Sequence, residues 1–340
     1  SIIKKTFTID SIFRANYDNV DNKSNNYIIE LPETITNAVT MSISSIEMPL
    51  TYHNISEELN NNIFQIRVRK YNLLGDSTID YNNLVSSVDF CYNIVLIPGL
   101  YESRFTSSAQ IKGADIVAQI NNQIKTQVVA NDSNNTDEVT VANDISSNLS
   151  FKRSPQSGFG VFQYNNNLAI GNTKLEQGYE IIIDFNVNND SIRNNCSENL
   201  LYQKLGWQLG YRNDKIILGD NPETTKTALD ATKLDLNPPQ PDVISAVSPG
   251  ICHISYPRYL YIGLDDFQTS SRNYFAVASP STIAPNIIAR INILSCLEDK
   301  TAFKSAASPG DYLYTNKHIR EYFGPTNIKK IKVQILDEFG

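Results

Sequence analysis

In the stretch NIFQIRVRKY, Phe64, Ile66 and Val68 alternate with Gln65, Arg67 and Arg69. Successive side chains of a strand point to opposite faces, so a period of two builds a ribbon with one apolar and one polar face. Runs of this kind recur at short intervals, each bounded by turn residues: NYIIEL, AVTMSISSIEMPL, FCYNIVLIPGLY, EVTVAND, NLSFKR, FGVFQY, GYEIIIDFNV, ICHISYPRYLYIGLDDF, NIIARINIL and IKKIKVQILDEF. A phase slip at Ser44-Ser45 predicts a bulge, and Pro98-Gly99 stops the strand before it. So many short strands restrict the fold to an all-β class, a jelly-roll β-sandwich with long loop insertions.

One segment breaks the period. In GADIVAQINNQIKTQVVA, Ile116, Ile120, Ile124 and Val128 recur every four residues, which predicts one amphipathic helix covering an open end or edge of a sheet. Residues 1–27 read as an N-terminal arm and 28–340 as the jelly-roll domain, interrupted by a Pro- and Asp-rich insertion at about 213–249.

The chain of 340 residues carries a net charge of −7, and its polar load falls on 39 asparagines rather than on charge. Nucleic-acid binding needs clustered Lys and Arg. The tightest basic cluster, IKKIKVQ, reads instead as a strand with one wet face, so no direct nucleic-acid contact is expected. No window is long and apolar enough for a membrane-spanning helix, and the first residues lack the apolar centre of a signal peptide. Cys91, Cys196, Cys252 and Cys296 are far apart, which fits a reducing compartment better than a disulfide or zinc framework.

Candidate chemistry is sparse. His53, His253 and His318 lie in separate segments without metal-ligand spacing. Cys252 and His253 are adjacent, and strand alternation would send them to opposite faces. The paired carboxylates of YLYIGLDDFQ are the sharpest feature, echoed at the end of the sequence by LDEFG. Alternation separates Asp265 from Asp266, so they are expected to cap the turn that follows or to form a loop salt bridge. Asp337 and Glu338 are expected to serve the same strand-exit device. Asp266 ends an aliphatic face, unfavourable unless the strand is leaving the core there. In GWQLGYR, Trp207 and Tyr211 suit a sheet-edge or subunit contact, or a platform stacking on a sugar. Neither a catalytic residue nor a cofactor is expected, and the chain is read as a non-enzyme.

The ordered series SISSIEMPLTYHNIS, NNIFQIRV, VLIPGLYES, DIVAQINNQI, LGWQLGYR, SPGICHISYPRYLYIGLDDF, IIARINIL and YFGPTNIKKIKVQILDEFG spans roughly residues 28 to 340. It resembles the smaller jelly-roll capsid proteins of nucleocytoplasmic large DNA viruses, the penton and minor capsid class. The resemblance implies a structural protein of a large icosahedral capsid, foremost the penton, a homopentamer at the vertices of a giant-virus virion. Its implied partners are other copies of itself, the major capsid protein and minor capsid proteins, near an inner viral membrane, with assembly in the host cytoplasm. A minor capsid (cement) protein, or a carbohydrate-binding jelly-roll module of a spike or fibre, is the alternative. The family pattern would run on past LDEFG with another short strand.

Overall fold

Strands take up most of the period-two runs, and helix takes up the four-residue spacing of GADIVAQINNQIKTQVVA. The computed structural model describes residues 2–18, 23–44, 46, 53–75, 79–102, 114–165, 179–187, 201–218, 243–254, 259–268, 271–272, 286–292 and 319–337. In chain order the elements are β1 (Asn26–Ser42), β2 (Ile63–Leu73), β3 (Ile79–Val95), β4 (Tyr101–Glu102), β5 (Ala114–Asp115), α1 (Ile116–Gln127) and α2 (Thr136–Asn148). There follow β6 (Leu149–Arg153), β7 (Phe159–Asn165), β8 (Tyr179–Asp184), α3 (Leu205–Gln208), β9 (Lys215–Leu218) and β10 (Val243–Ile251). The last are β11 (Tyr259–Asp265), β12 (Ser271–Arg272), β13 (Ile287–Asn292) and β14 (Ile319–Leu336). The fold is all-β, and among the described residues every strand pairing apart from the two-residue pair β4–β5 is antiparallel.

The chain divides into two compact units. Residues 52–256 form one, and the other joins residues 1–51 to 257–340. The sequence alone sets an arm at 1–27 and one domain over 28–340.

In unit 52–256 the sheets β3-β2-β8-β9 and β10-β7-β6 bury their inner faces in one core. Phe64, Ile66 and Val68 face inward as their alternation predicts. Phe64 of β2 meets Phe162 of β7 at 5.9 Å between ring centres, so the core spans both sheets as a jelly-roll-like sandwich. Helix α1 closes one side of it. Ile116, Ile120 and Ile124 point into the core. Asn121 pairs its side-chain amide with both backbone groups of Phe151 in edge strand β6, at 2.7 and 2.8 Å. Gln127 does the same for Val95 in edge strand β3, at 2.7 and 2.9 Å. One helix thus blunts the edges of both sheets.

Two sequence expectations are corrected in this unit. EVTVAND, read as a strand, lies in helix α2. Asn135 caps it by accepting the N–H groups of Asp137 and Glu138, and Val141 and Ile145 share its buried face. The cap and the four-residue spacing outweigh the local β preference of Val-Thr-Val. The span 213–249, read wholly as an insertion, begins with β9 and ends in β10. Ile216, Leu218 and Ala246 belong to the core. Its centre, 219–242, lies outside the described residues.

In the other unit β1 pairs with β14 from Asn26↔Gln334 to Ser42↔Ile319, and β11 sits between β14 and β13. NYIIEL and the start of AVTMSISSIEMPL are one strand, β1, with register shifts from Glu30 to Thr40 around Pro32 and Asn37. Ser45 lies outside the described residues.

Candidate functional site

The paired aspartates sit where β11 leaves its sheet. Asp265 Oδ1 accepts the N–H of Phe267 at 2.8 Å, and Asp266 Oδ1 accepts that of Gln268 at 3.1 Å. Two successive side-chain-to-backbone bonds set the turn, and Phe267 takes a left-handed φ of 59° inside it. Lys330 Nζ lies 4.5 Å from the centre of the Phe267 ring.

Beyond the turn the two carboxylates diverge. Asp265 is half-buried, whereas Asp266 is 3% exposed. Asp266 Oδ2 accepts Arg320 Nη1 at 3.0 Å and also the phenol of Tyr322. Arg320 is 4% exposed and donates its other terminal nitrogen to the carbonyl of Asn286 at 3.2 Å. That carbonyl also accepts the N–H of Leu264 at 2.9 Å. Arg320 and Tyr322 are two apart on β14 and therefore reach the same face. Burial, and then the hydrogen bond to Asp266, pushes the Tyr322 phenol well above its ordinary value.

An aspartate ending an aliphatic face is unfavourable unless the strand leaves the core or the carboxylate finds partners. Here the carboxylate is buried, offset by a cation and two further donors. Arg258 and Arg272 lie nearer to Asp266 in sequence than Arg320 does. Arg258 lies outside the described residues, and Arg272 pairs its backbone with Glu321. Arg320 and Tyr322 were missed. Their signal was faint: RxY spacing in IREYFG puts a cation and a phenol on one strand face, but nothing local says which acid they meet. Asp337 is half-buried just after β14, and Glu338 lies outside the described residues.

Trp207 and Tyr211 part in the same way. Trp207 on α3 is 38% exposed, with Tyr202 edge-on at 6.4 Å and the Arg212 guanidinium 4.1 Å from the ring centre. Tyr211 is in the core, stacked on Phe185 at 5.4 Å. Its hydroxyl accepts the N–H of Phe162 at 3.1 Å and donates to the carbonyl of Ala246 at 2.8 Å. The two rings therefore form no common platform. Between them Gly210 holds φ at 98°, and a Cβ there would come within 2.1 Å of the Gly250 carbonyl oxygen. Gly250 N–H bonds back to the Gly210 carbonyl at 3.0 Å, so GWQLGYR is locked to the end of β10 backbone against backbone.

Cys252 is buried and His253 exposed, as adjacent residues of an extended chain are. Burial pushes the Cys252 thiol up to about 11. Among the described residues no three His, Cys, Asp or Glu side chains converge to hold a metal. Buried asparagines do structural work. Asn54 bonds the backbone of Tyr101 and Ile254, and Asn61 that of Asn54 and Ser56. No helix among the described residues is long and apolar enough to cross a membrane, which says nothing of a β-barrel.

No family model matches the chain, and no curated protein sequence matches it. Among solved structures, the crystal structure of the mavirus penton protein is 9% identical, with a TM-score of 0.29 over 92% of this chain and 86% of that one. A chain of the Sputnik virophage, solved by electron cryomicroscopy, is 13% identical, with a TM-score of 0.28 over 93% and 86%. Similarity at that level leaves function to be argued from the chain itself.

Proposed function

We infer that the chain is a structural protein of an icosahedral viral capsid, foremost the penton, forming a homopentamer at the vertices. The observation that carries this reading is the ordered series of segments. NNIFQIRV, DIVAQINNQI, LGWQLGYR, YLYIGLDDF, IIARINIL and IKKIKVQILDEF contribute, in that order, to β2, α1, α3, β11, β13 and β14. The acids that first suggested chemistry support the same reading, because Asp265 and Asp266 are spent on backbone and on Arg320. A polar surface rich in asparagine, with little net charge per residue, suits hydrogen-bonded contacts with other capsid proteins.

The sugar-binding alternative loses its platform, since Tyr211 is in the core and Arg212 occupies one face of Trp207. The cement alternative differs in place. Fitting the chain into a particle map is the deciding measurement. Five copies around each vertex are expected, and density found only beneath capsomer seams would assign the chain to the cement class. In solution, native mass spectrometry is expected to find five chains of 38.1 kDa.

A further inference from the structure

Among the described residues four side chains other than glycine hold a left-handed φ: Asn16, Asn37, Asn60 and Phe267. Asparagine is the ordinary choice there, because its short polar side chain bonds locally. The chain is rich in it, with 39 asparagines. Phe267, at a φ of 59°, is the exception. A bulky residue in that region is strained. Such strain persists only where the surroundings over-determine it, and it concentrates where proteins bind or switch.

The surroundings of Phe267 meet that condition. Asp265 accepts its N–H, and Asp266 accepts that of Gln268, the next residue. Asp266 is itself held by the buried Arg320 and by Tyr322. Gln268 Nε2 donates to the carbonyl of Asn327 at 3.1 Å, and Asn327 Oδ1 accepts the N–H of Asn37 at 3.3 Å. The turn is thereby tied to both β14 and β1.

What the ring does inside the chain does not account for its strain. Phe267 is 44% exposed, and its ring contact is with Lys330 Nζ, 4.5 Å from the ring centre. An exposed cation–π contact stabilises by less than a left-handed aromatic costs, and Gly or Asn in the same turn would avoid that cost. Lys330 is itself uncommitted. It is exposed, and Glu30 stands opposite it in the β1–β14 register, yet no ion pair joins them. A rigid, exposed ring beside a bare cation has the composition of an interface anchor.

We propose that Phe267 and Lys330 anchor a contact with a different protein, the ring seated in an apolar pocket and the ammonium paired with a carboxylate at the pocket's rim. The contact rests on the capsid reading only for the source of its partner, a neighbouring protein of the particle.

Three measurements test it. In urea unfolding of the full chain, Phe267→Asn is expected to raise the midpoint, because the strain is relieved and only the Lys330 contact is lost. An unchanged or lower midpoint means that the ring serves the fold itself and overturns the proposal. In assembled particles, Phe267→Asn is expected to lower incorporation by about tenfold, whereas Phe267→Tyr, which keeps both ring and strain, retains most of it. With benzoylphenylalanine in place of Phe267, irradiated particles are expected to yield an adduct on another protein, in a peptide carrying Asp or Glu. Lys330→Glu is expected to lose incorporation that a lysine at that acid restores. An adduct confined to copies of this chain, or to a peptide without a carboxylate, overturns the proposal. Particles that hold the unaltered chain and Phe267→Asn equally sink the anchor alone. Particles that hold neither sink the capsid reading and the anchor's partner with it.

Discussion

At the scale of the residue, two neighbouring aspartates carry different loads. Asp265 holds one backbone N–H at a half-buried position, and Asp265→Ala is expected to cost about 1 kcal/mol. Asp266 balances the buried Arg320, and Asp266→Ala strands that cation. A loss of about 3 to 5 kcal/mol is expected in urea unfolding. Replacing both partners together, Asp266→Leu with Arg320→Met, is expected to recover much of it, because the uncompensated charge disappears. Equal losses for the two alanine variants would refute this division of roles. Cys252 gives a second test. Its thiol, raised to about 11 by burial, stays neutral in the folded chain while an unfolded thiol ionises near pH 8.5. The stability from that neutral thiol is full below about pH 8.5 and falls as pH rises through about 11. At pH 8.5 iodoacetamide is expected to label exposed Cys91 in the native protein and Cys252 only after unfolding, as peptide mapping would show.

At the scale of the element, the two helices separate what can be read locally from what cannot. α1 was legible because its isoleucines recur every four residues over several turns. α2 was not, because Val139, Thr140 and Val141 look like a strand and the decision rests with Asn135. Asn135→Ala is expected to cost about 1 kcal/mol, seen as a lower urea midpoint with an unchanged slope. The strands of the sandwich were legible from alternation, since both partners of a buried face follow the same period of two. β9 and the start of β10 were hidden. They are short, and their neighbours in sequence are rich in Pro and Asp, while their burial is conferred by β8 and β7 far away in the chain. The aspartate site was half legible for the same reason. The turn chemistry of Asp265 and Asp266 is local, whereas the Arg320 contact spans 54 residues. Gly210 is the sharpest element-level test. Gly210→Ala forces a Cβ onto the Gly250 carbonyl at a φ of 98° and is expected to cost about 3 kcal/mol or to abolish folding. Gly75→Ala, with open space around its Cβ, is expected to be nearly neutral.

At the scale of the whole molecule, the two units make different demands on the chain. Residues 52–256 are continuous and hold the large aromatic core, so this fragment is expected to fold alone with a cooperative thermal transition. The other unit needs both ends of the sequence. A chain ending before β14 is expected to keep the transition of the fragment 52–256 and to lose the rest. Loss of both transitions would refute the independence of the unit 52–256.

The pairing of β1 with β14 also sets a clock. Asn26 meets Gln334 across almost the whole sequence, so on the ribosome the first strand emerges long before its neighbour exists. The unit 52–256 is complete before β14 is made and has time to fold in the interval, as domains of large chains do. The other unit can close only after β14 has emerged. Every surface that depends on the β1–β14 sheet is therefore withheld from unfinished chains. A chain that stops before β14 cannot build that sheet, so a formed sheet reports that synthesis has passed residue 336.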